Sequence, residues 1–246
     1  MHTPHPDWIV PDWAAPPGVK ALITTRAGGV SQGPYASFNL GLRTGDDPKA
    51  VAANRDRLNA LLPQHPRWLR QVHGSAVVEA DALIHVPEAD AAIARRPGTV
   101  CAVLVADCIP VLLADGTGAT VAMAHAGWRG LAAGVVESTV RAMACDPGSL
   151  AAYLGPGIGA GAFEVGADVR DAFLARHPAA AAAFTPHAPG KWLADLFLLA
   201  RQCLRRAGVG AIHGGELCTY SDARRFFSYR RSRTTGRMAA LIWRTG

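Results

Sequence analysis

Three polar side chains interrupt apolar segments of this chain at positions where chemistry is possible. His73 lies in the segment LRQVHG, Cys108 in LVADCIP and His125 in AMAHAGWRG, and each has a glycine or a proline close by. Because glycine and proline mark turns, each of the three residues is predicted to lie where a strand ends. Strand ends are where α/β proteins commonly build their functional sites. These residues are therefore the first candidates for a site.

Two histidines and a cysteine are a suitable ligand set for zinc. Three protein ligands leave the fourth position open for water or substrate, as in catalytic rather than structural zinc sites. A second interpretation needs no metal: Cys108 is a nucleophile and His125 or His73 its base, with Asp107, Gln71 or a backbone carbonyl orienting the imidazole. A third is that the residues are simply buried in the core. No short metal motif such as HExxH is present, so spacing does not decide between these interpretations.

The elements that must position these residues alternate between strands and helices. Asp47 and Pro48 have the residue types of an N-cap and a first helical position, so a helix is predicted from there to about residue 62. Strands are predicted over 19–25, 67–73, 76–80, 89–94, 119–126, 150–154 and 238–243, two strands meeting at a bend over 100–115, and helices over 128–144 and within 166–206. This alternation predicts one α/β domain over residues 19–246, with a mixed or mostly parallel sheet, after an irregular proline-rich arm over residues 1–18.

Composition excludes several classes of protein. Half of the residues are apolar and 18% are charged, as in globular proteins. No apolar run approaches the roughly 18–20 residues of a membrane helix, and the N-terminus lacks the features of a signal peptide. We therefore expect a cytoplasmic protein without a membrane partner. The five cysteines form no CxxC pair, so we expect reduced thiols rather than disulfides.

The positive charge of the chain predicts anionic ligands. The net charge is +6, and arginines are densest over residues 224–237. Arginine binds phosphate and carboxylate groups through paired hydrogen bonds. Since no nucleic-acid-binding module is recognisable, small anions are expected rather than nucleic acid. The GWRG turn after His125 is predicted to begin a helix whose free N–H groups form an anion site with Arg129, and GPGIG at 155–159 is a second candidate cradle.

Several motifs make the chain recognisable as a member of a known family. TTRAGGVSQGPYASFNLG, RQVHG, ADCIPVLLAD, HAGWRG, LGPGIG, FEVG, CTY and FFSYRR occur in this order. Over about residues 19–243 the chain closely resembles the bacterial YfiH-like family, also called polyphenol oxidase or laccase-domain proteins. The resemblance implies a single-domain, four-layer α/β sandwich similar to a cysteine-hydrolase toxin domain. It also implies zinc bound by His73, Cys108 and His125, with copper as the alternative metal.

The resemblance further implies an enzyme of purine nucleosides. It predicts phosphorolysis of adenosine, inosine and methylthioadenosine, and deamination of adenosine. Purine nucleosides and phosphate are then the expected partners, and a monomer or homodimer the expected assembly. The candidate substrate- or phosphate-binding residues are Asn39, Arg55, Gln71, Arg129, Glu164 and Arg231.

Other functions remain open at this point. One is a hydrolase that edits peptidoglycan precursors with Cys108 as nucleophile, and another is a binding protein without catalysis. A multicopper oxidase is disfavoured, because its copper centres need roughly ten histidines, many in His-x-His pairs. This chain has nine histidines and no such pair.

Overall fold

The computed structural model describes residues 3–246, which contain twelve β-strands and five α-helices. The strands are β1 Val19–Ile23, β2 Val77–Glu79, β3 Ala91–Ala94, β4 Cys101–Val105, β5 Ile109–Ala114, β6 Val121–Ala126, β7 Ala151–Leu154, β8 Glu164–Val165, β9 Phe184–Ala188, β10 Lys191–Ala194, β11 Ala211–Gly214 and β12 Met238–Arg244. The helices are α1 Pro48–Asn59, α2 Trp128–Ala133, α3 Val135–Met143, α4 Ala167–Leu174 and α5 Leu196–Arg206.

The strands form three sheets. The largest has the order β11-β7-β5-β6-β3-β2, the second the order β1-β12-β4, and a small third sheet the order β8-β10-β9. In the large sheet the outer pairs, β11–β7 and β2–β3, are parallel and the inner pairs are antiparallel. The prediction of a mixed sheet is therefore confirmed, and the mostly parallel version of it is wrong. The chain instead returns from β5 to β6 through a short connection, residues 115–120, which only antiparallel strands allow.

The side chains of the central strands alternate between two faces, and their contacts show four layers. In β5, Val111 and Leu113 pack in the cluster that contains the side chains of α3 and α5, whereas Leu112 and Ala114 face the second sheet. In β12, Ala240 faces the large sheet and Leu241 packs on the opposite side with residues of α1. Successive strand residues point to opposite faces, so strands buried on both faces are continuously apolar. The four layers are thus the helices α3 and α5, the large sheet, the second sheet, and helix α1. This order confirms the expected four-layer α/β sandwich.

The apolar segment 100–115 forms two strands that belong to different sheets. β4 pairs with β12 in the second sheet, whereas β5 lies at the centre of the large sheet. The chain crosses between them at 106–108, and Asp107 adopts a left-handed conformation there, with φ of 96°. The predicted bend is confirmed, and it carries Cys108 to the place where the two central layers meet.

Three predicted elements differ from the structure. Residues 67–73 form only two isolated bridges, Arg67 with Cys101 and Arg70 with Glu88, because the segment meets two different neighbours and no continuous ladder extends along either. The helix predicted over 128–144 is divided into α2 and α3 at Gly134, whose φ of 91° interrupts helical geometry. The region 166–206 contains α4 and α5 but also the β9–β10 hairpin between them.

The N-terminal arm packs on the domain. Trp8 is buried, its ring lies 4.7 Å from that of Phe38, and Ile9 pairs with Ile23 at the edge of the second sheet. Met1 and His2 of the predicted arm lie outside the described residues. None of the helices among the described residues combines the length and apolar character required to span a membrane.

Candidate metal centre

His73, Cys108 and His125 come together at one end of the large sheet. One potential ligand atom from each residue lies within 4.8 Å of the others. His125 is buried, Cys108 is partly buried and His73 is exposed. The group therefore sits at the boundary between the core and solvent, where a ligand can reach it.

Strand register brings Cys108 and His125 together. β5 and β6 are antiparallel, and Ile109 pairs with Ala126. One step further along this ladder places Cys108 opposite Gly127, two residues after His125. Since β5 begins where β6 ends, Cys108 and His125 lie at the same end of these two strands.

His73 is presented by a turn that Asp90 holds. His73 has φ of 60°, a left-handed conformation that is uncommon for a residue with a side chain. The backbone N–H groups of Val72, His73 and Gly74 donate to the Asp90 carboxylate at 3.1, 3.0 and 2.7 Å. A carboxylate that accepts consecutive N–H groups stabilises a turn in this strained conformation.

Asp90 also orients His125. The Nδ1 atom of His125 lies 2.8 Å from Asp90 Oδ1, and the backbone N–H of His125 donates to Asp90 O at 2.7 Å. With a proton on Nδ1 donated to the carboxylate, Nε2 is the nitrogen available to a metal ion or to Cys108. This is the carboxylate–histidine arrangement found beside many metal ions.

The electrostatics of the group favour a deprotonated thiol. Burial alone would raise the pKa of Cys108, but attraction to His125 and hydrogen bonds from His125 and His73 outweigh it and lower the pKa. Burial would lower the pKa of His125, but the Cys108 thiolate and the Asp90 carboxylate raise it. Thiolate is the form of cysteine that binds metals or attacks an electrophile.

Gly127 provides the space in which the group is assembled. A Cβ atom at this position would lie 2.8 Å from Cys108 Sγ and 3.1 Å from His73 Cδ2. Its own backbone angles, φ of −75° and ψ of 166°, suit any residue. The absence of a side chain is therefore required by its neighbours and not by the turn.

The residues present fit a single zinc-type ion. Within residues 3–246, His73, Cys108 and His125 are the one group of three or more potential ligand side chains this close together. One thiolate and two imidazoles match the ligands that zinc takes at catalytic sites, and copper also accepts them. One such group does not provide the several copper centres of a multicopper oxidase.

The group lines a deep cavity rich in arginine. The cavity has a volume of about 720 Å³, within the usual range for small-molecule sites. Among the described residues that line the cavity, Asp107 is the one acidic residue. Both of its carboxylate oxygens accept hydrogen bonds, one from the Thr219 hydroxyl and one from the backbone N–H of Arg230. Seven arginines line the cavity: Arg43, Arg55, Arg70, Arg129, Arg230, Arg233 and Arg237. The cavity is thus strongly electropositive.

Of the six predicted substrate- or phosphate-binding residues, three line the cavity. Arg129 is exposed and stacks on Trp128, with its Cζ atom 4.3 Å from the ring centre. Arg55 stacks on Trp68 and donates to Leu40 O. Gln71 also lines the cavity, but its side-chain amide bonds both backbone groups of Leu104, so it holds the strand and not the imidazole.

The other three predicted residues lie outside the cavity lining. Asn39 is fully buried and uses all four of its side-chain hydrogen-bonding positions within the protein. Arg231 donates to the backbone oxygens of Thr219, Tyr220 and Phe226. Glu164 is exposed on β8 and lies 3.6 Å from His187. Their side chains hold loops or lie on the surface, and the expectation that they contact substrate stays a prediction.

The two predicted backbone anion sites differ from the expectation in different ways. α2 is only six residues long, so the helix expected after GWRG is too short for a substantial dipole. In residues 155–159 every backbone N–H donates within the protein, to Pro110 O, Leu217 O, Asp107 O and Cys218 Sγ. The arginine side chains of the cavity are therefore the stronger candidates for binding an anion.

Sequence reasoning missed two kinds of residue. Nothing in the sequence marks Asp90 as a partner for the histidines; the pairing of Ala91 with Ala124 between β3 and β6 brings it beside His125. Arg43, Arg70 and the arginines after Tyr229 were not assigned to the cavity individually. The density of arginines over 224–237 was the available signal, but it does not distinguish Arg233 from Arg231.

Comparisons with known proteins show the family to which the chain belongs. The family model described as multi-copper polyphenol oxidoreductase laccase matches residues 20–245. A purine nucleoside phosphorylase of Pseudomonas aeruginosa is 54% identical over 237 residues, covering 96% of this chain and 98% of that protein. YfiH of Escherichia coli, named a purine nucleoside phosphorylase, is 53% identical over 238 residues, covering 96% and 98%.

Solved structures give the same relationship. The crystal structure of a Neisseria meningitidis protein superposes with a TM-score of 0.94 at 52% identity, covering 98% of this chain and all of that one. YlmD of Geobacillus stearothermophilus has a TM-score of 0.87 at 33% identity, covering 95% and 96%. The fold and the site define a class of protein: an α/β sandwich with a His-Cys-His group that could bind a metal ion. The chain belongs to the laccase-like polyphenol oxidase family, with YfiH-type proteins among its relatives.

Proposed function

We propose that this protein is a zinc-dependent purine nucleoside phosphorylase that acts on adenosine, inosine and methylthioadenosine. The observation that carries the proposal is the position of the His-Cys-His group on the wall of an electropositive, aromatic cavity. The names of the relatives from Pseudomonas aeruginosa and Escherichia coli support the same reaction. Deamination of adenosine in the same cavity and a location in the cytoplasm are part of the proposal.

Phosphate is bound by arginines. Arg43, Arg129 and Arg233 line the cavity and make no side-chain hydrogen bond to another described residue, so their donors are free for an anion. Arg129 and Arg233 are each stacked on an aromatic ring, which limits the conformations that must be ordered on binding. A guanidinium presents two parallel donors that match two phosphate oxygens.

The purine is bound by aromatic rings. Trp68, Trp128, Phe163 and Tyr229 line the cavity, and all four also carry an arginine over one face. Flat, apolar bases stack on such rings with a gain of about 1–3 kcal/mol per base. The cavity therefore contains surfaces for both an anion and a base.

The reaction needs charge stabilisation more than covalent chemistry. A phosphate oxygen forms a bond to C1′ of the ribose, the bond from C1′ to N9 breaks, and its electron pair leaves with the purine, which then takes a proton. The arginines hold phosphate against C1′ and stabilise the negative charge that moves onto the purine. Asp90 keeps the His125 ring in one orientation throughout. A zinc ion held by His73, Cys108 and His125 supplies Lewis-acid chemistry when it is bound.

The test is phosphate-dependent release of free base and ribose 1-phosphate. Zinc-loaded wild type is compared with Cys108→Ala and with Cys145→Ala, a partly buried cysteine that does not line the cavity. We expect release by wild type and Cys145→Ala from all three nucleosides, and loss of it in Cys108→Ala. Ammonia release from adenosine measures deamination in the same samples. No phosphate-dependent release by zinc-loaded wild type would refute the proposal.

A second candidate is a thiol hydrolase that acts on a peptidoglycan precursor. The observation that favours it is the order Asp90–His125–Cys108, in which a carboxylate orients an imidazole beside a thiol of lowered pKa. This is the arrangement of cysteine hydrolases. A chelator separates the two candidates, because a thiol hydrolase retains activity without metal and loses it on alkylation. Metal uptake without turnover of either substrate class would leave a binding protein.

A further inference from the structure

Asp90 is a buried carboxylate placed between two of the three candidate metal ligands. Its side chain is inaccessible to solvent, and it immediately precedes β3, directly opposite His125 in the antiparallel pairing of β3 with β6. The turn that carries His73 lies on its other side. A buried charge of this kind is costly unless its lone pairs are used.

All of the side-chain hydrogen bonds of Asp90 go to the ligand-bearing segments. Oδ1 accepts from the backbone N–H of His73 and from Nδ1 of His125, and Oδ2 accepts from the N–H groups of Val72 and Gly74. Each oxygen thus has two donors. The carboxylate joins a strand residue to a turn that strand pairing does not reach.

We propose that Asp90 is the positioning residue of the metal site. It holds the proton of His125 on Nδ1, which leaves Nε2 free as a ligand, and it fixes the left-handed turn that carries His73. The inference rests on the metal site of the proposed function but not on the reaction that the site performs. Asp90 itself does not contact substrate, because it does not line the cavity.

An asparagine at this position cannot replace the carboxylate in either orientation. With the amide oxygen in place of Oδ1, the NH₂ group faces the N–H donors of Val72 and Gly74, and the turn loses two bonds. With the oxygen in place of Oδ2, the NH₂ group donates to His125 Nδ1 and moves the ring proton to Nε2, which removes the ligand lone pair. Both orientations weaken metal binding, for different reasons.

The test is the zinc affinity of Asp90→Asn, measured by competition with a chromogenic chelator. The matched control is Asp115→Asn. Asp115 is also a buried aspartate that accepts several hydrogen bonds, from the N–H groups of Thr117, Ala119 and Thr120 and the Thr117 hydroxyl, but it lies in the β5–β6 turn away from the cavity. We expect Asp90→Asn to lose about 10- to 100-fold in zinc affinity and Asp115→Asn to retain it.

Nitrogen NMR of zinc-loaded wild type provides a reading that does not depend on the folding of a variant. We expect His125 to carry its proton on Nδ1, in a hydrogen bond that slows exchange with water. Ligation of zinc through Nδ1 would overturn the proposal, as would unchanged affinity in Asp90→Asn or an equal loss in Asp115→Asn. If wild type binds zinc as expected but releases no purine base, the proposed reaction fails while the role of Asp90 stands.

Discussion

Replacement of Gly127 by alanine tests whether the metal centre depends on the space that this residue leaves. The new Cβ atom would lie 2.8 Å from Cys108 Sγ and 3.1 Å from His73 Cδ2. Favourable van der Waals contacts between heavy atoms begin at about 3.5 Å, so the side chains of Cys108 and His73 must move away by roughly 0.4–0.7 Å. Metal–ligand distances tolerate only about 0.2 Å. We therefore expect zinc affinity to fall about 10- to 100-fold, as for other changes adjacent to ligands.

The cost to the fold is expected to be smaller than the cost to the site. The backbone angles of Gly127 suit alanine, and the cavity leaves room for Sγ to move, so the loss of stability lies near the lower end of the usual 1–3 kcal/mol for overpacking. That corresponds to a decrease in Tm of about 2–4 °C per kcal/mol in a chain of this size.

The assay combines zinc titration with thermal unfolding, and Gly161→Ala is the matched control. A Cβ atom at Gly161 meets nothing within 4 Å, so this variant is expected to keep wild-type affinity and Tm. Wild-type zinc affinity in Gly127→Ala would show that the ligands do not need this space. A Tm decrease far beyond a few degrees would show that the substitution acts through the fold.

Three further predictions concern metal, phosphate and pH. Zinc at 100 times its Kd adds about 2.7 kcal/mol to stability, so Tm rises by about 5–10 °C in wild type, and an equal rise in Cys108→Ala would contradict the assigned ligands. Arg129→Met is expected to raise the KM for phosphate about tenfold or more, because a charged hydrogen-bond donor is lost. The control Arg96→Met changes an exposed arginine outside the cavity and should leave the KM unchanged. Equal KM values in the two variants would exclude Arg129 from phosphate binding. Burial alone would raise the pKa of Asp115, but hydrogen bonds from Thr117 and from backbone N–H groups outweigh it and lower the pKa. Its contribution is therefore present above the unfolded pKa of about 4 and lost as pH falls through the folded pKa, so the difference in free energy of unfolding between wild type and Asp115→Asn shrinks below pH 4; a constant difference in denaturant titrations would contradict this.

The strands could be predicted where burial on both faces makes them apolar. Segment 100–115 is correctly divided at its polar bend, because Asp107 and Cys108 stand out from apolar neighbours. That its two halves enter different sheets could not be predicted, since the left-handed conformation of Asp107 leaves no mark in the residue type. The β9–β10 hairpin could not be predicted for a related reason: β9 is largely exposed and lacks an apolar pattern.

The ligand set could be proposed from sequence, but its support could not. His73, Cys108 and His125 are conspicuous as polar residues beside turns, and family resemblance singles them out. Asp90 lies 17 residues from His73 and 35 from His125, and only sheet register brings it between them. The sequence also could not show that Asn39, a polar residue in a glycine-rich loop, makes all its side-chain hydrogen bonds within the protein.

Two aspartates connect the parts of the site. Asp90 ties the start of β3 to the turn of His73 and to His125, while Asp107, next to Cys108, ties the crossing between the sheets to Thr219 and to the backbone of Arg230. The metal ligands and the arginine-bearing C-terminal segment are therefore joined through residues 107–108. No ligand pair is held by a local motif, so the centre forms only when both central sheets are packed. We therefore expect metal binding to be coupled to folding of the whole domain, so that partial unfolding of either sheet would release a bound ion.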